Sequence, residues 1–299
     1  MPPSAEPVPT PPAARTGVDA LPGPLVGAGW VEERLGGSGL VLLDASVGAH
    51  RGAERRIPGA RPFDLDGALS DHTGAAPHTM PGPEEFAAAM RGLGVDDTDT
   101  VVVYDGAGIY SSARAWWMLR AMGFDRVAVL DGGLPAWTAA GLPVEETAPA
   151  YDGPPGSFTP RPRPGLVVDA DTVAKALTDP AATVFDARTR GRFAGTAPEP
   201  RAGLRGGHMP GAVNLPFGEL QRPDGLMLPE AELRAAFAPL TGSAERLYFS
   251  CGSGVTACVL ALGASLAGYR DLAVYDGSWS EWGDPAGGRP VAPATPPTG

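Results

Sequence analysis

The chain is poor in the residues that cross-link folds and hold metals. It has two cysteines and four histidines in 299 residues. Cys251 and Cys258, seven positions apart, make no disulfide framework, and unpaired thiols are most easily kept reduced in the cytoplasm, where the chain is therefore expected. With the histidines scattered at positions 50, 72, 78 and 208, no metal-ligand set is recognisable. Positive charge is also short: 23 Lys and Arg against 34 Asp and Glu leave a net −11, a field that repels nucleic acid and anionic membranes. No run approaches the ~18 apolar residues of a membrane span. A Walker loop and a dinucleotide fingerprint are missing, so no cofactor is expected.

The first residues, "MPPSAEPVPTPPAARTG", carry proline where a secretory leader would carry an apolar core. Residues 1–20 read as a disordered tail, and 286–299 as a flexible one.

What is present in quantity is glycine and proline, 42 and 34 residues, and a chain written twice. "VVVYDGAGIYSSARAWWMLRAMGFDRVAVLDGGLPAW" (101–137) has a counterpart in "LYFSCGSGVTACVLALGASLAGYRDLAVYDGSWSEW" (247–282). Earlier landmarks pair in the same order: "VLLDAS" with "TVFDAR", "IPGARPFDL" with "MPGAVNLPF", "PEEFAAAMRGLG" with "PEAELRAAFAPL". Between the copies, residues 148–165 are dense in proline and glycine and read as an extended linker. Two similar domains follow, 21–147 and 166–285. Valine-rich runs alternating with helical periods predict an α/β fold, each domain a parallel sheet flanked by helices on both faces. Ligands of such sheets sit beyond the carboxyl ends of the strands.

Cys251 stands at one of those ends, opening the loop "CGSGVT". In the first copy the same corner is Asp105, while the glycines Gly106 and Gly108 match Gly252 and Gly254. The fold does not demand the cysteine, which points to chemistry. A loop closing onto a helix N-terminus gathers N–H groups and favours a thiolate. Such surroundings bring a thiol from ~8.5 to roughly 3.5–7.5. Cys258, inside the following helix, is expected only to pack. Cysteine phosphatases need an arginine at the seventh loop position to grip phosphate. Here that position is Ala257, which disfavours phosphate esters.

With "CGSGVT", "GHMPGAVNLPF" (207–217), "GRFAGTAPEPR" (191–201) and "YDGSWSEW" (275–282), the chain resembles the tandem rhodanese family over nearly its whole length, on the side that uses 3-mercaptopyruvate. The resemblance implies two tandem rhodanese-like domains, the first without the catalytic cysteine. It implies a sulfurtransferase in which a Cys251 persulfide passes sulfane sulfur to a thiol acceptor such as thioredoxin or a small thiol, or to cyanide. The family's carboxylate-binding arginines fall on Arg192 and Arg201, and an arginine fork suits that use. A proton relay falls on Asp66, His78 and Ser253, with Asp64 the alternative to Asp66, and histidine titrates near the pH such a relay needs. Gly252, Gly254, Val255 and Thr256 of the loop, and Tyr110 of the first domain, complete the substrate site. Of the other histidines, His208 belongs to a turn motif. The first domain's loop, "YDGAGIYSSA", is about two residues shorter than the usual family form.

Two rivals remain open at this stage. Thiosulfate is an alternative donor, though that branch carries basic residues where this loop has the neutral Gly252 and Ser253. From a different class comes a persulfide carrier that turns over no small donor.

Overall fold

A computed structural model describes residues 20–74, 76–146 and 151–292. Residues 1–19 of the expected 1–20 tail, 148–150 of the linker and 293–299 of the second tail lie outside the described residues, while the second tail's described part is held to the second half by Ala292 pairing with His208 and by Trp282 Nε1 donating to Pro290 O.

The first half runs β1 (Leu25–Val26), α1 (Ala28–Glu32), β2 (Leu40–Asp44), β3 (Arg61–Pro62), α2 (Pro83–Gly92), β4 (Thr100–Tyr104), α3 (Ser112–Ala121), β5 (Val127–Leu130) and α4 (Gly133–Ala139). The second half repeats the pattern: β6 (Val167–Val168), α5 (Ala170–Ala176), β7 (Ala182–Asp186), α6 (Arg190–Ala194), β8 (Val213–Asn214), α7 (Glu230–Thr241), β9 (Arg246–Ser250), α8 (Ala257–Leu266), β10 (Asp271–Tyr275) and α9 (Ser278–Trp282). Each half builds a five-stranded sheet, in the orders β1-β5-β4-β2-β3 and β6-β10-β9-β7-β8. Every strand pair is parallel. The two orders are the same order, so the duplication read in the sequence is a duplication of topology.

The central strands are buried on both faces, as continuous apolar runs require. Val101, Val102 and Val103 of β4 are fully buried, and Val101 and Val103 face one cluster while Val102 faces another. The outer clusters belong to one half each. The inner cluster does not: it joins Val41, Phe86 and Trp117 of the first half to Phe185, Phe237 and Phe249 of the second. α3 packs on α8 there. These are the two helices that follow the corner loops. The halves therefore meet along the elements that carry the corners, which brings the loop ends of β4 and β9 to one seam.

The extended segment after residue 150 is fastened to the first half. Phe158 is buried between Phe86 and Phe124, worth about 1.5–3 kcal/mol for a fully buried side chain of this kind. On either side, backbone N–H groups of Gly156, Arg161 and Arg163 donate to carbonyls of Arg91, Met122 and Ala121 at 2.8, 2.8 and 2.7 Å. One apolar anchor in a proline-rich stretch has no periodicity, which is why the sequence shows a linker and not its docking.

Candidate active site

β9 ends at Ser250, and Cys251 is the first residue beyond it. Its backbone is held from the opposite side by the residues that open α9. Cys251 N–H donates to Ser278 Oγ at 3.1 Å, and Cys251 O accepts from Trp279 N–H at 2.9 Å. Gly252 O accepts from the N–H and hydroxyl of Ser280, at 2.9 and 2.6 Å. Ser278 adopts φ +47° to do this. Gly254 has φ +77°, and a Cβ there would stand 2.8 Å from the Asp276 carbonyl, so glycine is required twice over.

The corresponding loop of the first half, one residue longer before its helix, shows what such a corner can bind. Asp105 Oδ2 accepts from the N–H groups of Tyr110, Ser111 and Ser112 at 2.9, 3.0 and 2.8 Å, and Oδ1 from Ala107 N–H at 2.9 Å. The turn into the helix is an amide nest, the geometry that favours an anion, and here a carboxylate of the chain occupies it. In the second half the corner side chain is a thiol, 1% exposed as a residue.

Two arginines flank the thiol. Arg192, in α6, gives Nε and Nη2 to Glu199 at 3.3 and 2.6 Å. The Glu199 side chain is 3% exposed and also accepts from Arg188 Nη1 at 2.7 Å. Arg188 is buried against Asp186 and lies over the ring of Trp279 at 4.1 Å. Arg192 is thus the outermost member of a chain of alternating charges rooted in the core. Arg201 Nη1 reaches Ser280 Oγ at 3.4 Å.

Opposite stands His78, from the first half. Its Nε2 meets Asp66 Oδ1 at 2.9 Å and its Nδ1 meets Ser253 Oγ at 3.1 Å. A carboxylate only accepts, so in neutral His78 Nε2 carries the proton and the Nδ1 lone pair faces the serine hydroxyl. Burial pushes the imidazole below its usual range and outweighs the nearby Asp66, which pulls the other way. Burial alone would raise Asp66, but hydrogen bonds from His78 and from Gly48 N–H hold it below the usual carboxylate range. The two partners thus shift in directions that leave a neutral ring beside a carboxylate. Asp64, the alternative named from sequence, is engaged with Arg51 at 2.8 Å.

A cleft of about 270 Å³ joins these groups. His78, Tyr110, Arg192, Arg201 and the loop residues Cys251, Gly252, Ser253, Val255 and Thr256 line it. Asp66 stands behind His78, and Gly254, within the loop, does not line the cleft. Tyr110 packs edge-on against Phe217 at 5.6 Å, and its hydroxyl is pushed up by burial and by the neighbouring Cys251. A larger hollow, about 560 Å³, opens beyond Ser280 and is lined by Asp169, Asp276 and Glu281. It holds neither thiol nor arginine, so volume alone does not mark the chemistry.

The remaining sequence candidates lie elsewhere. Cys258 is fully buried in α8, and burial pushes its thiol up to about 12. His208 stacks on Phe193 at 3.9 Å and bonds its carbonyl. His72 bonds Gly67 O at 3.0 Å. Among the described residues no group of three His, Cys, Asp or Glu could hold a metal ion, and no helix is long and apolar enough to cross a membrane. Sequence reading missed Glu199, Ser278 and Ser280, which hold the site from behind. All three lie inside quoted motifs, where their neighbours drew the attention.

Comparison with known proteins gives the chain a family. A family model for the rhodanese-like domain matches residues 27–140 and again 169–284. The 3-mercaptopyruvate sulfurtransferase of Escherichia coli K12 is 42% identical over 269 residues, covering 86% of this chain and 94% of that one. The mitochondrial thiosulfate/3-mercaptopyruvate sulfurtransferase 1 of Arabidopsis thaliana is 41% identical over 289 residues, covering 87% and 76%. The crystal structure of SseA from Escherichia coli, a 3-mercaptopyruvate sulfotransferase of rhodanese fold, superimposes with a TM-score of 0.76 at 39% identity, covering 86% of this chain and 99% of that one.

Proposed function

The chain belongs to the rhodanese family, as two rhodanese-like domains in tandem, and from that premise we propose that it moves sulfane sulfur from 3-mercaptopyruvate through a persulfide on Cys251 to a thiol or cyanide. One observation carries this reading. Cys251, Arg192, Arg201, His78 and Ser253 line a single cleft, with Asp66 bonded to His78.

The substrate's carboxylate and keto oxygen suit the arginine forks. That places its thiol at Cys251. The Cys251 thiolate attacks the donor sulfur, a sulfur–sulfur bond forms, and the carbon–sulfur bond breaks. Pyruvate leaves as its enolate. The proton that was on the donor thiol passes through Ser253 and His78 to the enolate carbon, so no oxidant or reductant is needed. An acceptor thiolate or cyanide then takes the outer sulfur, releasing a persulfide or thiocyanate and restoring the Cys251 thiolate.

His78 fits the relay because a neutral ring with a free Nδ1 can take a proton and return it. The amide nest fits the persulfide anion, as the Asp105 carboxylate in the sister loop illustrates. Tyr110 closes the cleft over the substrate. Domain limits of 21–147 and 166–285, with 148–165 between, suit this division of labour. A reducing compartment such as the cytoplasm suits two free thiols.

The test is a comparison of donors. Steady-state kcat/KM is measured for 3-mercaptopyruvate and for thiosulfate, with dithiothreitol or cyanide as acceptor and Cys251→Ser as control. A preference for 3-mercaptopyruvate of about tenfold or more, ~1.4 kcal/mol, with an inactive control, supports the reading. A preference for thiosulfate overturns the donor. Turnover of neither, with persulfide taken only from a partner protein, makes the chain a carrier.

A further inference from the structure

Among the described residues two non-glycine residues hold positive φ, His78 at +61° and Ser278 at +47°. Both touch the cleft's chemistry. Strained backbone of this kind persists only where the surroundings over-determine it. For Ser278 the holder is the loop backbone itself, through Cys251 N–H. For His78 it is a pair of charges that belong to different domains.

Arg114, in α3 of the first domain, is completely buried. Its Nη2 donates to His78 O at 2.8 Å and to Asp276 Oδ1 at 2.5 Å. Asp276 follows β10 of the second domain, and its other oxygen, Oδ2, accepts from Met80 N–H at 2.8 Å. The pair therefore grips the chain at two points, the carbonyl of His78 and the amide two residues on. Between those points lies only Thr79, so the left-handed turn has little freedom. The same arginine borders the catalytic loop: a Cβ on Gly254 would stand 3.5 Å from Arg114 Nη1. Neither charge lines the cleft; Arg114 also meets the buried Cys258 thiol beneath the loop.

We propose that Arg114 and Asp276 are positioning residues that aim the His78 ring at Ser253. The clamp exists only when the two domains are docked, because Asp276 and Ser253 come from one and His78 and Arg114 from the other. Docking the domains thereby assembles the proton relay as well as the cleft. The inference rests on the reading of His78 as that relay.

A double-mutant cycle separates the two claims. Asp276→Asn keeps the side chain's shape but presents an amide nitrogen, which cannot accept from Met80, or else turns its oxygen away from Arg114. Arg114→Lys keeps the charge without the fork that serves two acceptors, and provides a second variant should one fail to fold. Each is measured alone and in a His78→Ala background, with 3-mercaptopyruvate and saturating acceptor. Expected is a loss in kcat of roughly 10- to 100-fold, the scale of an ~1 Å misplacement, with KM changed less than about threefold. In the His78→Ala background the same substitutions should cost nothing further. Equal losses in both backgrounds, or an effect confined to KM, overturn the clamp while leaving the relay intact. A His78→Ala enzyme of unchanged rate overturns the relay and the clamp with it.

Discussion

Gly252 lies beneath the guanidinium of Arg192, so close that a Cβ at that position would stand 3.0 Å from Nη2. Arg192 is not free to retreat, since Glu199 holds both its Nε and its Nη2. The second loop position and the Arg192 guanidinium thus compete for one volume. Gly252→Ala should raise KM for 3-mercaptopyruvate about tenfold, ~1.4 kcal/mol, with a smaller change in kcat, because a displaced fork costs ground state and transition state alike. Steady-state kinetics decide it; an unchanged KM would show that the fork does not hold the substrate.

Glu199 should matter at a distance from the substrate. Its carboxylate joins Arg188, which is buried, to Arg192, which is not. Glu199→Gln keeps the shape and removes the charge, leaving two guanidinium groups close together with less to compensate them. The expected cost is about 1–3 kcal/mol of stability, read from urea denaturation, together with a several-fold rise in KM. A loss of stability with unaltered KM would separate the core pair from the substrate arm.

Much of this was legible in the amino-acid order, and the illegible part has a common physical cause. The strands β4, β5, β9 and β10 announce themselves as valine-rich and aromatic runs, and their repetition announces the tandem. The strands β1, β3, β6 and β8 have two residues each, too few for any periodicity. Cys251 and its loop were visible because the sister copy keeps the glycines and changes the corner residue. Asp66 was read ahead of Asp64 only through the resemblance, since the two differ in a contact no local pattern shows, Asp66 with His78 and Asp64 with Arg51. The packing of α3 on α8 and the Arg114–Asp276 pair join residues far apart in the chain. Nothing local marks a charge whose partner lies in the other domain.

The pH profile should carry the signature of a neutral histidine. Burial places His78 below its ordinary value near ~6.5, so the ring is free to accept a proton at neutral pH and loses that ability as pH falls. The acid limb of kcat/KM should therefore have its midpoint below about 6.5. Asp66 is the group that pulls His78 upward, so Asp66→Asn should move that limb to lower pH while reducing the plateau through loss of the tautomer lock. His78→Ala should lower kcat by roughly 10²–10⁴-fold and remove the limb. A limb unmoved in either variant would assign it to another group.

The two thiols should behave oppositely. Incubated with donor alone, the protein should gain one sulfur atom by intact mass, and Cys251→Ser should gain none. Cys258 is fully buried with a thiol pushed up to about 12, so it stays protonated and unreactive. Cys258→Ala should lose about 1 kcal/mol of stability from the small cavity, release the bond from its thiol to Gly254 O, and still gain one sulfur atom. A second added sulfur, or none after Cys258→Ala, would mean that the buried thiol takes part.

Asp105 offers the sharpest check on what the corner loops are built to hold. Its carboxylate accepts four backbone N–H groups, three of them on Oδ2, and no substrate reaction is asked of it. If the nest binds anions by construction, emptying it should destabilise the first domain. Asp105→Ala leaves buried donors without a partner, at about 1–3 kcal/mol for each one that water cannot reach. Asp105→Asn should cost less, because the amide oxygen can take the three contacts of Oδ2 while the NH2 group turns against Ala107 N–H. The expected order in urea is therefore wild type, then Asp105→Asn, then Asp105→Ala. The wall shared with the cleft, Val47 and Tyr110, should pass on only a modest rise in KM. Were Asp105→Ala as stable as the wild type, the N–H groups would have no need of an anion. The matching loop around Cys251 would then lose its claim to hold the persulfide anion.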